Sequence, residues 1–322
     1  MIDTKDLFLY FANNLFPSWG ATKQRKDLSP QEQEKYQRIR IIIDEVGRKV
    51  GISCPESVKF YISKEVTQNA CMSGSIAAIG SPVMALANDY FTHFDSPDIQ
   101  QDPDYQEWEK LFGNMPEHPL DLAKYLENCS SDLLKKIQTL HKQFALVLTE
   151  EELKGVIAHE LGHAKHLHSW KKLFYMIPLS WGAFKMQKIS EPYLPFSGLF
   201  AFILFSLGLQ QVTQMHEKEA DEETCVAQTY NTGFQKFFKK HLLSELLKKP
   251  TELEVESMLR KIDFNTHPHP AKRIVASLGR QEREATPISS WEKGIACMGG
   301  ILLMGEIYLK MSAALFIKKA KR

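Results

Sequence analysis

The sequence predicts an α+β fold, mainly helical with one small sheet. Three observations carry that prediction: a helix bounded by Ser29-Pro30 and Gly51, a second helix opening at a Thr149 capping box, and strand-like runs between them. At 322 residues the chain is long enough to bury a substantial core, so 1–322 is read as a single domain carrying insertions.

Ser29 and Pro30 suit the N-cap and first helical positions, and Gly51 suits the stop. Ser57 to Ile62 then reads as a strand. Residues 89–145 begin rich in Asp, Pro and aromatics (Asp95, Pro97, Asp98, Asp102, Pro103, Asp104, Trp108, Phe112), and a helical run follows from 119. This stretch reads as an insertion, either a lid over a cleft or, the preferred reading, a helical layer. Thr149-Glu150-Glu151-Glu152 is the capping box, and Leu153, Val156, Ile157, Leu161 and Ala164 recur behind it as one buried stripe.

That helix carries His159-Glu160-Leu161-Gly162-His163, an H-E-x-x-H motif. Two imidazoles four residues apart share a helix face and can reach one metal ion, while the glutamate beside them can take a proton from water that the metal polarises. The pattern points to a hydrolytic zinc site. Catalytic zinc keeps three protein ligands, so a third must come from elsewhere. His166 and His168 are set aside, because His159 to His166 spans about 10 Å of straight helix; they read as solvating the helix end. The extended form H-E-x-x-H-x-x-G-x-x-H is absent, since positions 166 and 169 hold His and Ser. Downstream, Glu217 and Asp221 stand four apart on a predicted second helix. Glu217 can complete a two-His, one-Glu set, with Glu219 as the rival ligand, and Asp221 can accept from the outer N–H of His159. A solvated acidic face is the plain alternative for this run.

These residues resemble the gluzincin metallopeptidases that include HtpX, the type I CAAX prenyl endopeptidase and the Oma-type enzymes. The shared marks are H-E-x-x-H, then E-x-x-A-D at Glu217-Lys218-Glu219-Ala220-Asp221, then H-P-x-x-x-x-R from His267-Pro268 to Arg273. The resemblance selects Glu217 over Glu219. It implies that His267 lies near the substrate carbonyl and Arg273 supports the site. It also implies that Asn69-Ala70 leads into an edge strand able to bind an extended peptide by strand addition. Thr213 and Gln214 stand where many relatives carry Ser-Arg, and His269 intervenes before Pro270.

Forty basic residues against thirty-nine acidic ones leave a net charge of +1, which argues against phosphate-driven nucleic-acid binding. Five scattered cysteines, never in C-x-x-C spacing, indicate neither a disulfide framework nor a thiolate metal site. The amino terminus does not read as a cleavable secretory signal. Two apolar stretches within 173–212, Leu173 to Phe184 and Leu194 to Val212, form an apolar helical pair between the histidines and Glu217. A further apolar run, Gly294 to Ile317, ends in Lys318-Lys319-Ala320-Lys321-Arg322, giving an apolar and basic tail over 290–322. Both features suit membrane association, with cytoplasmic location and buried helices as the alternative.

The combined expectation is a zincin-type metalloendopeptidase acting on polypeptides. It would use one Zn²⁺ per chain held by His159, His163 and Glu217, with Glu160 as general base, His267 at the oxyanion, and Asp221 and Arg273 in support. The rival reading is a catalytically silent zinc-containing interaction or scaffold protein.

Overall fold

A computed structural model describes residues 22–23, 28–63, 71–74, 82–94, 96–192, 197–249, 251–260 and 267–281. Helix α1 (Pro30–Val50) starts as its sequence dictates: the Ser29 hydroxyl accepts from the Glu32 N–H, and the Glu32 carboxylate accepts from the Ser29 N–H. It stops where Gly51 turns left-handed at φ 92°, a conformation that costs glycine little. Ile39, Ile42, Ile43 and Val46 form its buried stripe.

The strand expected at Ser57–Ile62 is displaced to β2 (Lys59–Ser63). Pro55–Ser57 forms a 3₁₀ turn instead, with the Ser57 hydroxyl donating to the Cys54 carbonyl at 2.7 Å and so competing with extended backbone. Together with β1 (Thr22–Lys23), β3 (Cys71–Gly74) and β4 (Pro82–Ala87), β2 makes a four-stranded sheet of order β1-β2-β4-β3. Strands β2 and β4 are parallel, pairing Phe60 with Met84 and Ile62 with Leu86. All four of these side chains are buried, so alternate residues line one apolar face. Strand β3 is antiparallel to β4 at the end of the order. The expected peptide-binding residues Asn69 and Ala70 lie outside the described residues, as does the 290–322 tail.

Helices α2 (Asn88–His93), α3 (Pro97–Gln100), α4 (Pro103–Gly113), α5 (Pro119–Glu127) and α6 (Ser131–Phe144) follow. Helical structure thus begins well before position 119. At Asp102-Pro103 the reason is visible: the Asp102 carboxylate caps the Asp104 N–H at 2.8 Å and Pro103 takes the first helical position. The remaining helices are α7 (Glu150–Lys165), α8 (His168–Ser190), α9 (Ser197–Glu223), α10 (Gln228–Leu246), α11 (Glu252–Arg260) and α12 (Pro270–Gln281). Two apolar cores result. One joins the sheet, α1 and α7; the other joins α4, α5 and α6 to α10, α11 and α12. Phe238 of α10 packs against both.

The α8–α9 pair leaves Phe174, Ile177, Trp181, Phe184, Leu199, Ile203 and Leu207 exposed. Among the described residues one helix, Ser197–Val226, is long and apolar enough to cross a membrane by length and composition.

Helix α7 is the pivot. Its N-terminus carries the expected capping box, Thr149 Oγ1 accepting from the Glu152 N–H at 3.2 Å and Glu152 Oε2 accepting from the Thr149 N–H at 2.9 Å. The same buried carboxylate receives Lys240 Nζ from α10, which also donates to the Val147 carbonyl. Beyond that tie, α7 and α10 touch backbone to backbone: a Cβ on Gly155 would stand 2.4 Å from the Phe234 nitrogen and 2.6 Å from the Tyr230 oxygen. Gly155→Ala must therefore push the helices apart, at a cost of about 1–3 kcal/mol or more. Denaturant unfolding should show that loss, and a midpoint equal to that of the parent would refute the contact.

Candidate metal centre

Helix α7 places His159, Glu160 and His163 on the side that meets α9. Leu161, in the middle of the motif, turns into the core and is fully buried. Gly162 permits the approach of α9: a Cβ there would lie 2.9 Å from the Ala220 Cα and 3.1 Å from its carbonyl oxygen. With the backbones this close, Glu217 and Asp221, one turn apart on α9, arrive directly over the two imidazoles.

His159 Nε2 lies 3.4 Å from Glu217 Oε2, His163 Nε2 lies 3.5 Å from Glu217 Oε1, and the two Nε2 atoms are 3.2 Å apart. One ligand atom from each of these three residues fits within 4.8 Å of the other two. Glu217 Oε2 is buried and makes no well-aligned hydrogen bond, its nearest nitrogen being His267 Nδ1 at 2.9 Å; a carboxylate oxygen so placed can also be satisfied by a cation. Two imidazole nitrogens and a carboxylate are also the donor set of hydrolytic zinc, so the residues present fit that ion.

Asp221 Oδ1 is 2.9 Å from His159 Nδ1, so the outer nitrogen donates to it and Nε2 is the atom left facing Glu217. Arg273 of α12 clamps the same carboxylate, Nε donating to Oδ2 at 3.2 Å and Nη2 to Oδ1. Its guanidinium lies over Phe238, 4.2 Å from the ring centroid, and over Phe234, 5.0 Å away. Phe234 in turn packs on His159. His267 Nδ1 is 2.9 Å from Glu217 Oε2, yet its side chain is 61% exposed, which puts it at the open side of the cluster. The structure thus brings together His159, His163, Glu217, Asp221, His267 and Arg273.

Charge is arranged to favour a cation. Burial opposes a protonated His159, as does Arg273, but hydrogen bonds with Asp221 and Glu217 outweigh both and raise its pKa to about 9. Burial also opposes an ionised Glu217, yet His159 and His267 hold its carboxyl well below the usual range. Glu160, 7% exposed, is pushed up to about 7, by burial first and by neighbouring Glu217. His163 is driven well below its ordinary value by burial.

His168 corrects an expectation. It does not solvate the helix end: it is 2% exposed, its Nδ1 lies 2.7 Å from His163 Nδ1, and its Nε2 lies 2.9 Å from Glu219 Oε2. The reason is a break at Leu167, whose backbone is left-handed at φ 54° and ψ 39° and turns His168 back toward His163; neither His166 nor His168 joins the His159, His163 and Glu217 cluster. Glu219, the rival ligand, is occupied by His168 and Lys171. Phe234 and Phe238 were also missed, and only their helical spacing signalled anything, a buried face. His166 pairs with Glu223.

The model of peptidase family M48 matches residues 128–281, just under half the chain. The matched stretch contains the motif helix, Glu217, Asp221, His267 and Arg273, and it supports a metallopeptidase. No curated protein and no solved structure matches the chain.

Because Arg273 is buried against Asp221, Arg273→Met should leave that interior carboxylate with the His159 imidazole but without its guanidinium partner. Such losses run to about 3–5 kcal/mol. Urea titration of the purified variant checks this, and stability within about 0.5 kcal/mol of the parent, the range of an ordinary surface substitution, would contradict it.

Proposed function

We propose that the chain is a zinc-dependent metalloendopeptidase of the M48 family, holding one Zn²⁺ with His159, His163 and Glu217. The observation that carries this reading is the convergence of Glu217 from α9 with His159 and His163 of α7, the helix that also carries Glu160. Bound there, zinc would supply Lewis acidity, making water nucleophilic near neutral pH and polarising a carbonyl.

The protein's own residues account for the rest of the chemistry. Glu160 accepts the proton from the attacking water and returns it to the leaving amine. Its raised pKa suits both steps, since a carboxylate that gains a proton near neutrality can also release it. Asp221 fixes His159 with Nδ1 protonated, and Arg273 holds Asp221 in place. His267, on the open side of the cluster, is positioned to donate to the oxyanion that develops on the substrate carbonyl. Strand β3, at the end of the sheet and packed beside α7 and α8, offers backbone groups to an extended polypeptide.

The exposed apolar faces of α8 and α9 support membrane association. After cell fractionation the protein should stay with membranes through a high-salt wash and leave them in detergent. Release of all the protein by salt would end the membrane reading.

Glu160→Gln should keep stoichiometric zinc and lose about 10²–10⁴-fold in casein cleavage. Equal cleavage by both proteins would defeat the catalytic assignment. The sign of the pH dependence follows from the raised carboxyl: below its pKa Glu160 is protonated and cannot act as base, so kcat/KM falls on the acid side. With the group at about 7 in the protein alone, and a nearby cation favouring its ionised form, that limb should lie below pH 7 and vanish in Glu160→Gln.

A further inference from the structure

We infer that His168 is a positioning residue for the centre: it accepts a hydrogen bond from His163 and passes the orientation on to Glu219, fixing His163 with its proton on Nδ1 and its Nε2 lone pair free for the metal. The inference rests on the metal-centre reading above and assigns to His163 what Asp221 does for His159.

Proton counting along the chain of contacts decides the direction. His163 Nδ1 faces His168 Nδ1 at 2.7 Å, and His168 Nε2 faces Glu219 Oε2 at 2.9 Å. If His163 Nδ1 carries a hydrogen, His168 Nδ1 accepts it, His168 Nε2 carries its own hydrogen, and Glu219 accepts that. Each neutral ring then holds one proton, and each contact has one donor and one acceptor. Reversing the first bond moves the His168 proton to Nδ1. The bare Nε2 would then face a carboxylate oxygen, lone pair against lone pair, and His163 would point an N–H at the centre. Glu219 is kept anionic and in place by Lys171, whose Nζ donates to the same oxygen at 3.0 Å.

The setting of His168 is built for one orientation. The ring is 2% exposed and stacks on His216 at 4.3 Å between centroids and 9° between planes. The ring of His166, which caps the end of α7, stacks with it at 5.4 Å and 15°. Above all, the chain adopts a left-handed turn at Leu167, a branched residue with no steric reason to be there. Five positions along an unbroken helix, His168 would point about 140° away from His163. The turn at Leu167 swings it back.

Three measurements test the assignment. His168→Phe keeps a stacking ring and removes the acceptor, whereas His168→Asn puts an amide oxygen near the position of Nδ1. Zinc affinity, read by competition with a chromophoric chelator, should fall about 10–100-fold in His168→Phe and recover most of that loss in His168→Asn. Thermal unfolding of the metal-free proteins reports separately on the fold. In the metal-free protein, two-bond ¹⁵N–¹H spectra of the histidine rings should show His163 protonated on Nδ1, a preference lost in His168→Phe. Parent-like zinc affinity in His168→Phe, or His163 protonated on Nε2 in the parent, overturns the inference. Failure of the metal-centre reading looks different: the parent protein takes up no zinc, or Glu217→Gln binds zinc as tightly as the parent, while the His163 tautomer still answers to His168.

Discussion

The structure depends on one close approach, that of α9 to α7 at Gly162 and Ala220. Backbone meets backbone there, with no room for even a methyl group. A carboxylate on α9 is short, and it can span to an imidazole on α7 only if the helix axes are drawn together. The glycine inside the H-E-x-x-H motif is therefore part of the site although it carries no functional group. Gly155 does the same towards α10, so α7 is gripped on two faces and its histidines are held by packing on rigid elements.

Holding helices so near brings charges into the interior, and their arrangement shows how the protein tolerates them. Asp221 is matched by Arg273, whose guanidinium is itself supported by Phe234 and Phe238; Glu152 is matched by Lys240, which also satisfies a carbonyl. A buried pair of this kind adds little net stability against an apolar replacement, but removing one member is costly. The pairs act as locks on geometry: one fixes the N-terminus of α7 to α10, the other fixes α12 to the outer edge of His159. Glu217 differs: the groups that face it are the imidazoles of His159, His163 and His267, with the Arg273 guanidinium further off at 3.8 Å.

Local signals were legible in the sequence where the chain obeys a regular helix. The N-cap at Ser29, the capping box at Thr149, the stripe from Leu153 to Leu161, and the placement of Glu217 and Asp221 one turn apart all follow from residue type and spacing alone. Bringing Glu217 to His159 and His163 needed a tertiary contact, and only the resemblance chose it over Glu219. What escaped lies where regularity breaks. Asp102-Pro103 looked like loop composition and is a helix start, because the same aspartate that disfavours a helix interior caps its end. The strand at Ser57 begins two residues late because a hydroxyl holds a turn. His168 was expected in solvent at the helix end, and a single left-handed residue, Leu167, turns it into the interior instead.

The same turn joins the chemistry to the apolar hairpin. Helix α8 opens at His168, and α9 closes just beyond Asp221, so both ends of the hairpin terminate among the groups that orient the histidines. The exposed run Phe174, Ile177, Trp181 and Phe184 begins within two helical turns of His168. The two helices pack along one another, and Glu217 and Asp221 ride on α9, so the seating of the hairpin against α7 and the placement of those carboxylates beside the two imidazoles are a single packing arrangement.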